Sequence, residues 1–290
     1  MLVLQAAIDG VLAGGVYALM GAGLTLVFGV MEILVLAQGA LVVLAAYLSY
    51  VLSADYGIDP FVGLLVTMPV MFMVGVGIYE LLIRPIKRDR VVMTLLVMVA
   101  VAAVIEGLVD VIFSTDLVQI HASYINDTYQ LGSLILPSIY VWAFGLSVLM
   151  LAALYVLLHR TRFGLSLRAT SQNPVAANLV GVRTDRISAT TLGIGVAMAA
   201  AGGMVFGATN SFNAASSYDL VSRLIVIVIL GGLGSIGGSL VAAVLMMVIE
   251  DVVSVVWSPV WGQTTFYLVL VVVLIARPTG LFGRRAVRAQ

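Results

Sequence analysis

Long apolar runs separated by short polar returns are the dominant pattern of the chain. They cover residues 11–30, 33–53, 61–83, 91–113, 139–158, 187–208, 224–256 and 264–276. About 20 apolar residues in a helix cross a hydrocarbon core of about 30 Å, so each run predicts a membrane-spanning helix. The run 224–256 is the exception, because one helix of that length would be about 50 Å long. Gly231, Gly232, Gly234, Gly237 and Gly238 interrupt it. Two short spans, or a re-entrant pair of half-helices, meeting at the Gly-rich stretch fit better. The expected fold is all-α: a polytopic helical membrane protein of about eight transmembrane helices, with Gly-broken or re-entrant segments, in one domain over 1–290.

Charge orients this pattern. Of the 14 Lys and Arg residues, all but Arg223 lie in three clusters: Arg84 to Arg90, Arg160 to Arg186 and Arg277 to Arg288. Basic loops stay on the cytoplasmic side, so the clusters mark three cytoplasmic returns. The parity between clusters requires zero or two crossings in 224–256, and counting back from Arg84 places the N-terminus outside. Trp142, Trp257 and Trp261 fall at the outer boundaries this predicts, where an indole prefers the headgroup region. The outer loops 54–60, 114–137, 209–219 and 257–263 contain no basic residue. Composition agrees: 62% of residues are hydrophobic and 10% charged, and the mean hydropathy is +1.17. Soluble domains have about 25% charged residues. The first basic residue is Arg84, so residues 1–30 lack the basic start of a signal peptide and are read as retained protein. The chain has no cysteine, which excludes disulfides, thiol catalysis and thiolate metal sites.

The middle basic cluster encloses a short capped helix within a cytoplasmic segment of about 159–186. Asn173 is a good N-cap, Pro174 is favoured at the first helical position, and Gly181 is a natural stop. Val175 and Leu179 share one face, flanked by Ala176, Ala177 and Val180. Two turns of helix are marginal alone and need a surface to pack on. That surface is either a groove on a soluble partner or the lipid headgroups.

Two interruptions lie at possible membrane depth. The first is Gln38-Gly39; the second comprises Gly231, Gly232, Gly234, Ser235, Gly237 and Gly238. Gly39-Ala-Leu-Val faintly echoes Gly238-Ser-Leu-Val241. Broken segments in matching halves point to a transport path, with close helix packing through Gly234 and Gly238 as the alternative. Gln38 is read either as a path residue or as a helix-to-helix hydrogen bond.

Four stretches carry a family resemblance, in order along most of the chain. They are Tyr17-Ala-Leu-Met-Gly-Ala-Gly-Leu-Thr-Leu-Val-Phe-Gly29, the run from Leu167 to Ile187 with the Ala/Gly-rich span after it, Leu230-Gly-Gly-Leu-Gly-Ser-Ile-Gly-Gly238 and Arg277-Pro-Thr-Gly-Leu-Phe-Gly283. Together they resemble the permease subunits of branched-chain amino acid ABC importers. The resemblance implies a non-catalytic subunit in a bacterial or archaeal inner membrane that pairs with a second, related permease. It also implies two cytosolic ATPases, which hold the ATP and Mg²⁺, and an extracytoplasmic binding protein. Pro174 to Gly181, after the Asn173 cap, becomes the coupling helix, and the translocation path is formed with the second permease. Members commonly have Asn-Phe-Ala-His/Gln-Gly-Glu at the first break, and this chain has Val35-Leu-Ala-Gln-Gly-Ala40. The substrate is expected to be a branched-chain amino acid or a similar small amino acid or amide. The rival reading is a self-sufficient ion-coupled secondary transporter or channel.

The remaining polar residues add little. The one lysine, Lys87, follows Arg-Pro-Ile without the glycines of a phosphate loop, so the chain is not itself the ATPase. His121 and His159 are isolated, no metal site is expected, and no nucleophile pairs with a base. Glu106 and Asp110 lie four apart toward the outer end of the fourth span, and Asp219 is placed to pair with Arg223 at the outer surface. No charged relay through the spans is evident. Nucleic-acid binding is not expected.

Overall fold

The computed structural model describes residues 2–86, 89–121, 127–131 and 134–283. Lys87, Arg88, Arg284, Arg285 and Arg288 of the basic clusters lie outside the described residues. The helices are α1 (Leu2–Met31), α2 (Gln38–Ala54), α3 (Pro60–Ile78), α4 (Arg90–Phe113), α5 (Ser138–Arg160), α6 (Arg162–Gln172), α7 (Pro174–Leu179), α8 (Thr184–Thr209), α9 (Ser216–Gly231), α10 (Ile236–Val256) and α11 (Pro259–Ala276). A π-helical turn, Tyr79–Ile83, extends α3 toward the cytoplasm. Among the described residues, seven helices are long and apolar enough to cross a membrane. The shorter α2 and α9 complete the bundle.

Helix α8 is the axis of the fold, with 89% of its central stretch buried. Small residues make that possible, because they let neighbouring backbones approach closely. Gly195 meets the Gly23 backbone of α1, Gly203 meets the Val42 carbonyl of α2, and Gly193 meets the Phe72 ring of α3. On its other side α1 packs along α10 through Gly10 against Val248 and Gly14 against Val244. Thr25 and Ser239 share a buried 2.7 Å hydrogen bond there. By contrast, only 11% of the same measure is buried in α4 and α11. Those two helices form the rim.

Several boundaries differ from the sequence expectation. α1 begins at Leu2 rather than near residue 11, and α11 begins at Pro259 rather than 264. Pro259 at the first helical turn starts the latter helix, which shrinks the last outer loop. In the outer loop 114–137, strands β1 (Thr128–Leu131) and β2 (Leu134–Pro137) form an antiparallel hairpin that the apolar periodicity does not reveal. α6 was also unexpected. It is short and mostly polar, with Phe163 and Leu167 as its apolar contacts to the core.

The two interruptions take different forms. At the first, residues 32–37 are not helical, and α2 starts at Gln38. Ile33, Val35 and Ala37 are buried, so this irregular backbone is sheltered by protein as membrane depth demands. Gly203 faces Val42 and Gly207 faces Ala46, so α2 and α8 run in the same sense. Gln38 therefore stands roughly 20 Å along α8 from its cytoplasmic start, near mid-membrane. At the second, α9 and α10 join in a tight turn with Gly232 at φ 94° and Gly234 at φ 83°. Leu281 donates to the Leu230 carbonyl at 2.7 Å, which seats the segment after Arg277 on this turn. Gly234 also touches Gly29 near the cytoplasmic end of α1. The Gly-rich stretch is thus a cytoplasmic turn between α9 and α10, not a break at mid-depth.

Candidate functional site

The cytoplasmic segment is built from local chemistry. Thr161 caps α6 by accepting from the Gly164 amide at 3.2 Å, and Gly164 lets α6 fold back onto the Leu158 backbone of α5. Asn173 Oδ1 caps α7 by accepting from the Ala176 amide at 3.0 Å. At the other end Val182 donates to Ala177 and Gly181 to Asn178, with Gly181 at φ 88°. This is a Schellman closure, and the left-handed residue it needs is the glycine. Val175, Leu179 and Val180 are 70%, 84% and 79% exposed, whereas Ala177 is buried toward the bundle. The apolar face anticipated from Val175 and Leu179 therefore points away from the protein.

This segment is tied to the axis. Asn178 Oδ1 accepts from the Thr184 hydroxyl at 3.2 Å, and Thr184 is the first residue of α8. One residue on, Asp185 accepts from the buried Tyr79 hydroxyl at 3.3 Å, which accepts in turn from Arg90 at 3.2 Å. Arg84 reaches Asp185 at 3.8 Å and pairs with Glu80, whose hydrogen bond raises the exposed guanidinium above its ordinary value. The starts of α4 and α8 and the end of α3 thus share one polar cluster beside α7.

On the outer side, a cavity of about 680 Å³ opens between α1, α5, α8, α9, α10 and α11. Its charged lining is Asp9, Asp219, Arg223, Glu250 and Asp251, and its apolar wall includes Val16, Met20, Val205 and Phe206. Arg223 donates to both oxygens of Glu250 at 2.8 and 2.7 Å and to Asp219 at 2.9 Å, and its guanidinium lies 5.8 Å from the Phe266 ring centre. Both members of the Arg223–Glu250 pair are about nine-tenths buried, with side chains 11% and 9% exposed. The Asp219 contact matches the sequence expectation, but Arg223 is buried in the bundle rather than at the outer surface. Glu250 was missed, because its partner is 27 residues away on another helix. A Glu-Asp pair inside an apolar run was the available signal, since intramembrane charge is costly unless paired or hydrated.

Gln38 and Gly39 form the start of α2 and pack against the start of α9: a Cβ at Gly39 would overlap the Ser217 carbonyl. Two helix N-termini therefore meet at mid-depth. Gly39 lies at mid-depth against Ser217 and Gly238 at the cytoplasmic turn, so the two halves of the four-residue echo sit at different depths. Gln38 is buried, and its Nε2 has no hydrogen-bond partner among the described residues. Gly231 and Gly238 cross in van der Waals contact, and Ser235 caps α10 by accepting from Gly238 at 3.2 Å. Gly232, Gly234 and Gly237 complete that cytoplasmic turn, away from the outer cavity.

Residues 6–276 match the family model described as the branched-chain amino acid transport system permease component. The chain is similar to the high-affinity branched-chain amino acid transport system permease protein LivH of Escherichia coli K12, at 26% identity over 97% of this chain and 96% of that one. The corresponding protein BraD of Pseudomonas aeruginosa is 23% identical over the same shares. A probable branched-chain amino acid transport permease LivH of Methanocaldococcus jannaschii is 25% identical over 91% of this chain and 88% of its own. No solved structure matches the chain.

Proposed function

The chain belongs to the family of branched-chain amino acid transport system permease components, and from that premise we propose that it is the membrane subunit of an ATP-driven importer. Its solute is a branched-chain amino acid or a similar small amino acid or amide. Its partners are a second permease, two cytosolic ATPases that bind ATP and Mg²⁺, and an extracytoplasmic binding protein. The protein is a multi-pass protein of the cell membrane and contributes the path rather than the hydrolysis. The family favours this reading over a self-sufficient secondary transporter.

One observation carries the proposal: α7 is held at both ends by caps, yet turns Val175 and Leu179 away from the bundle. Two such aliphatic side chains in an ATPase groove contribute roughly 3–6 kcal/mol before ordering costs. Displacement of α7 passes to α8 through Asn178 and Thr184. Because α8 touches α1, α2 and α3 through glycines, it moves with them rather than sliding past. The outer cavity, floored by Arg223 and Glu250, receives the solute. The start of α9, which packs on Gly39 of α2 through Ser217, flanks this cavity. Closure of the ATPases exchanges outward for inward access.

The test replaces Val175 and Leu179 together by Asp. Membrane insertion is retained, co-purification of the ATPases is lost, and ATP-dependent uptake falls to background. Unimpaired uptake by that double variant would remove α7 from the mechanism.

A further inference from the structure

The faces turned to the membrane are not alike. On α5 and α11 the exposed large residues at mid-span are apolar: Val148 and Leu149 on one, Leu268, Val271 and Val272 on the other. On α4, Val99, Ala103, Glu106 and Asp110 fall on one stripe by their spacing. Glu106 is partly exposed there and Asp110 is exposed. At about 1.5 Å per residue, Glu106 stands about 24 Å along α4 from Arg90, within the hydrocarbon layer. The Ser217 hydroxyl of α9 donates to its carboxylate, and the 64% exposed Tyr218 hydroxyl faces it too. A surface hollow of about 210 Å³ lies alongside, between Leu36, Ala40, Glu106, Ser217 and Tyr218.

A carboxylate on a short side chain at this depth cannot reach the headgroups, and two hydroxyls do not replace its hydration. Lipid is therefore the wrong neighbour. We propose that the stripe of α4 with the first turn of α9, centred on Glu106, is the seam with the second permease subunit. This rests on the importer reading above. The stripe has two carboxylates and no basic residue. Two identical copies meeting on it about a two-fold axis would oppose like charges in a poorly screened layer. The occupant is accordingly a related but non-identical chain, with hydrogen-bond donors or a basic group at this depth. The first turn of α9 then separates two spaces, since Asp219 faces the outer cavity and Tyr218 faces the seam.

The chain has no cysteine, so single cysteines report without background. Ala103→Cys and Tyr218→Cys probe the seam, while Leu149→Cys and Val272→Cys probe the wholly apolar faces. Each variant is labelled in native membranes with a maleimide-benzophenone, irradiated and purified, and the attached chain is identified by mass. Cross-links to a second, different permease from positions 103 and 218, with none from 149 and 272, are expected. Cross-links to that permease from 149 or 272 alone would place the seam elsewhere. Links between two copies of this chain would overturn the non-identical partner, and adducts of lipid alone at 103 and 218 would overturn the seam. A second permease that co-purifies but attaches elsewhere defeats the seam while leaving the importer reading intact. Its absence from the purified transporter defeats both.

Discussion

At the cytoplasmic end, α7 is closed by residues 173–182 acting on their own neighbours: Asn173 caps one end and Gly181 the other. In the outer half, the floor of the cavity is an ion pair between α9 and α10, made by residues 27 positions apart and buried in the assembled bundle. The first region is stable by local geometry and turns its apolar residues outward. The second depends on the assembled bundle and turns its charges inward. A docking element must keep its shape while its binding face stays free, whereas a solute path must hold polar groups where lipid cannot reach them. The two regions should therefore fail differently when perturbed.

The largest effect is expected at the ion pair. Arg223→Met leaves Glu250 buried without its cation, and breaking such a pair from one side costs about 3–5 kcal/mol. Thermal unfolding in detergent should show a large loss for this variant. The double replacement of Arg223 by Met and Glu250 by Leu should recover most of the stability, because two apolar groups of similar size need no pairing. Uptake should stay lost in the double variant if the pair contacts the solute path. Full uptake by the stable double variant would reduce the pair to a structural fastening.

A smaller loss is expected where α2 meets α9. Gly39→Ala places a methyl group on the Ser217 carbonyl, so the two helix starts must separate. Overpacking of this kind costs about 1–3 kcal/mol. The measurable sign is reduced melting temperature together with altered accessibility of Ser216 and Ser217 to labelling after cysteine substitution. If melting is unchanged, the close contact is not a constraint on the fold.

The same contrast explains what could be read in the sequence. Spans, basic returns and the capped helix follow from local composition and short-range caps, so residues 173–181 were legible as an element before any fold was known. The seating of Gly39 on Ser217, the pairing of Arg223 with Glu250 and the depth of Glu106 depend on which helices become neighbours, and no periodicity encodes that. The Gly-rich stretch was legible as the meeting point of two helices, but its depth was not. Gly232 and Gly234 at positive φ serve a tight turn, and glycines look the same in a sequence whether they bend a chain at the membrane edge or break a helix within it. The hairpin at 128–137 was hidden because its strands are only four residues each and Pro137 ends the second, so the stretch resembles an ordinary loop.

The smallest effect sharpens the comparison most. Asn173→Ala removes the side-chain oxygen that accepts from the Ala176 amide and leaves the Schellman closure at Gly181 in place. Loss of such a cap costs about 1 kcal/mol, close to a fivefold change in a local opening equilibrium. Amide exchange over residues 175–182 should therefore quicken about fivefold in the purified protein. Exchange in α9 and α10, around Arg223 and Glu250, should not change, because those residues draw nothing from α7. Coupling to the ATPases should weaken without vanishing, since the helix still forms for most of the time and presents the same Val175 and Leu179. Faster exchange at both ends of the bundle would show instead that α7 and the cavity open as one unit, with α8 as the shaft between them, and that the local helix and the distant ion pair are not independently stable.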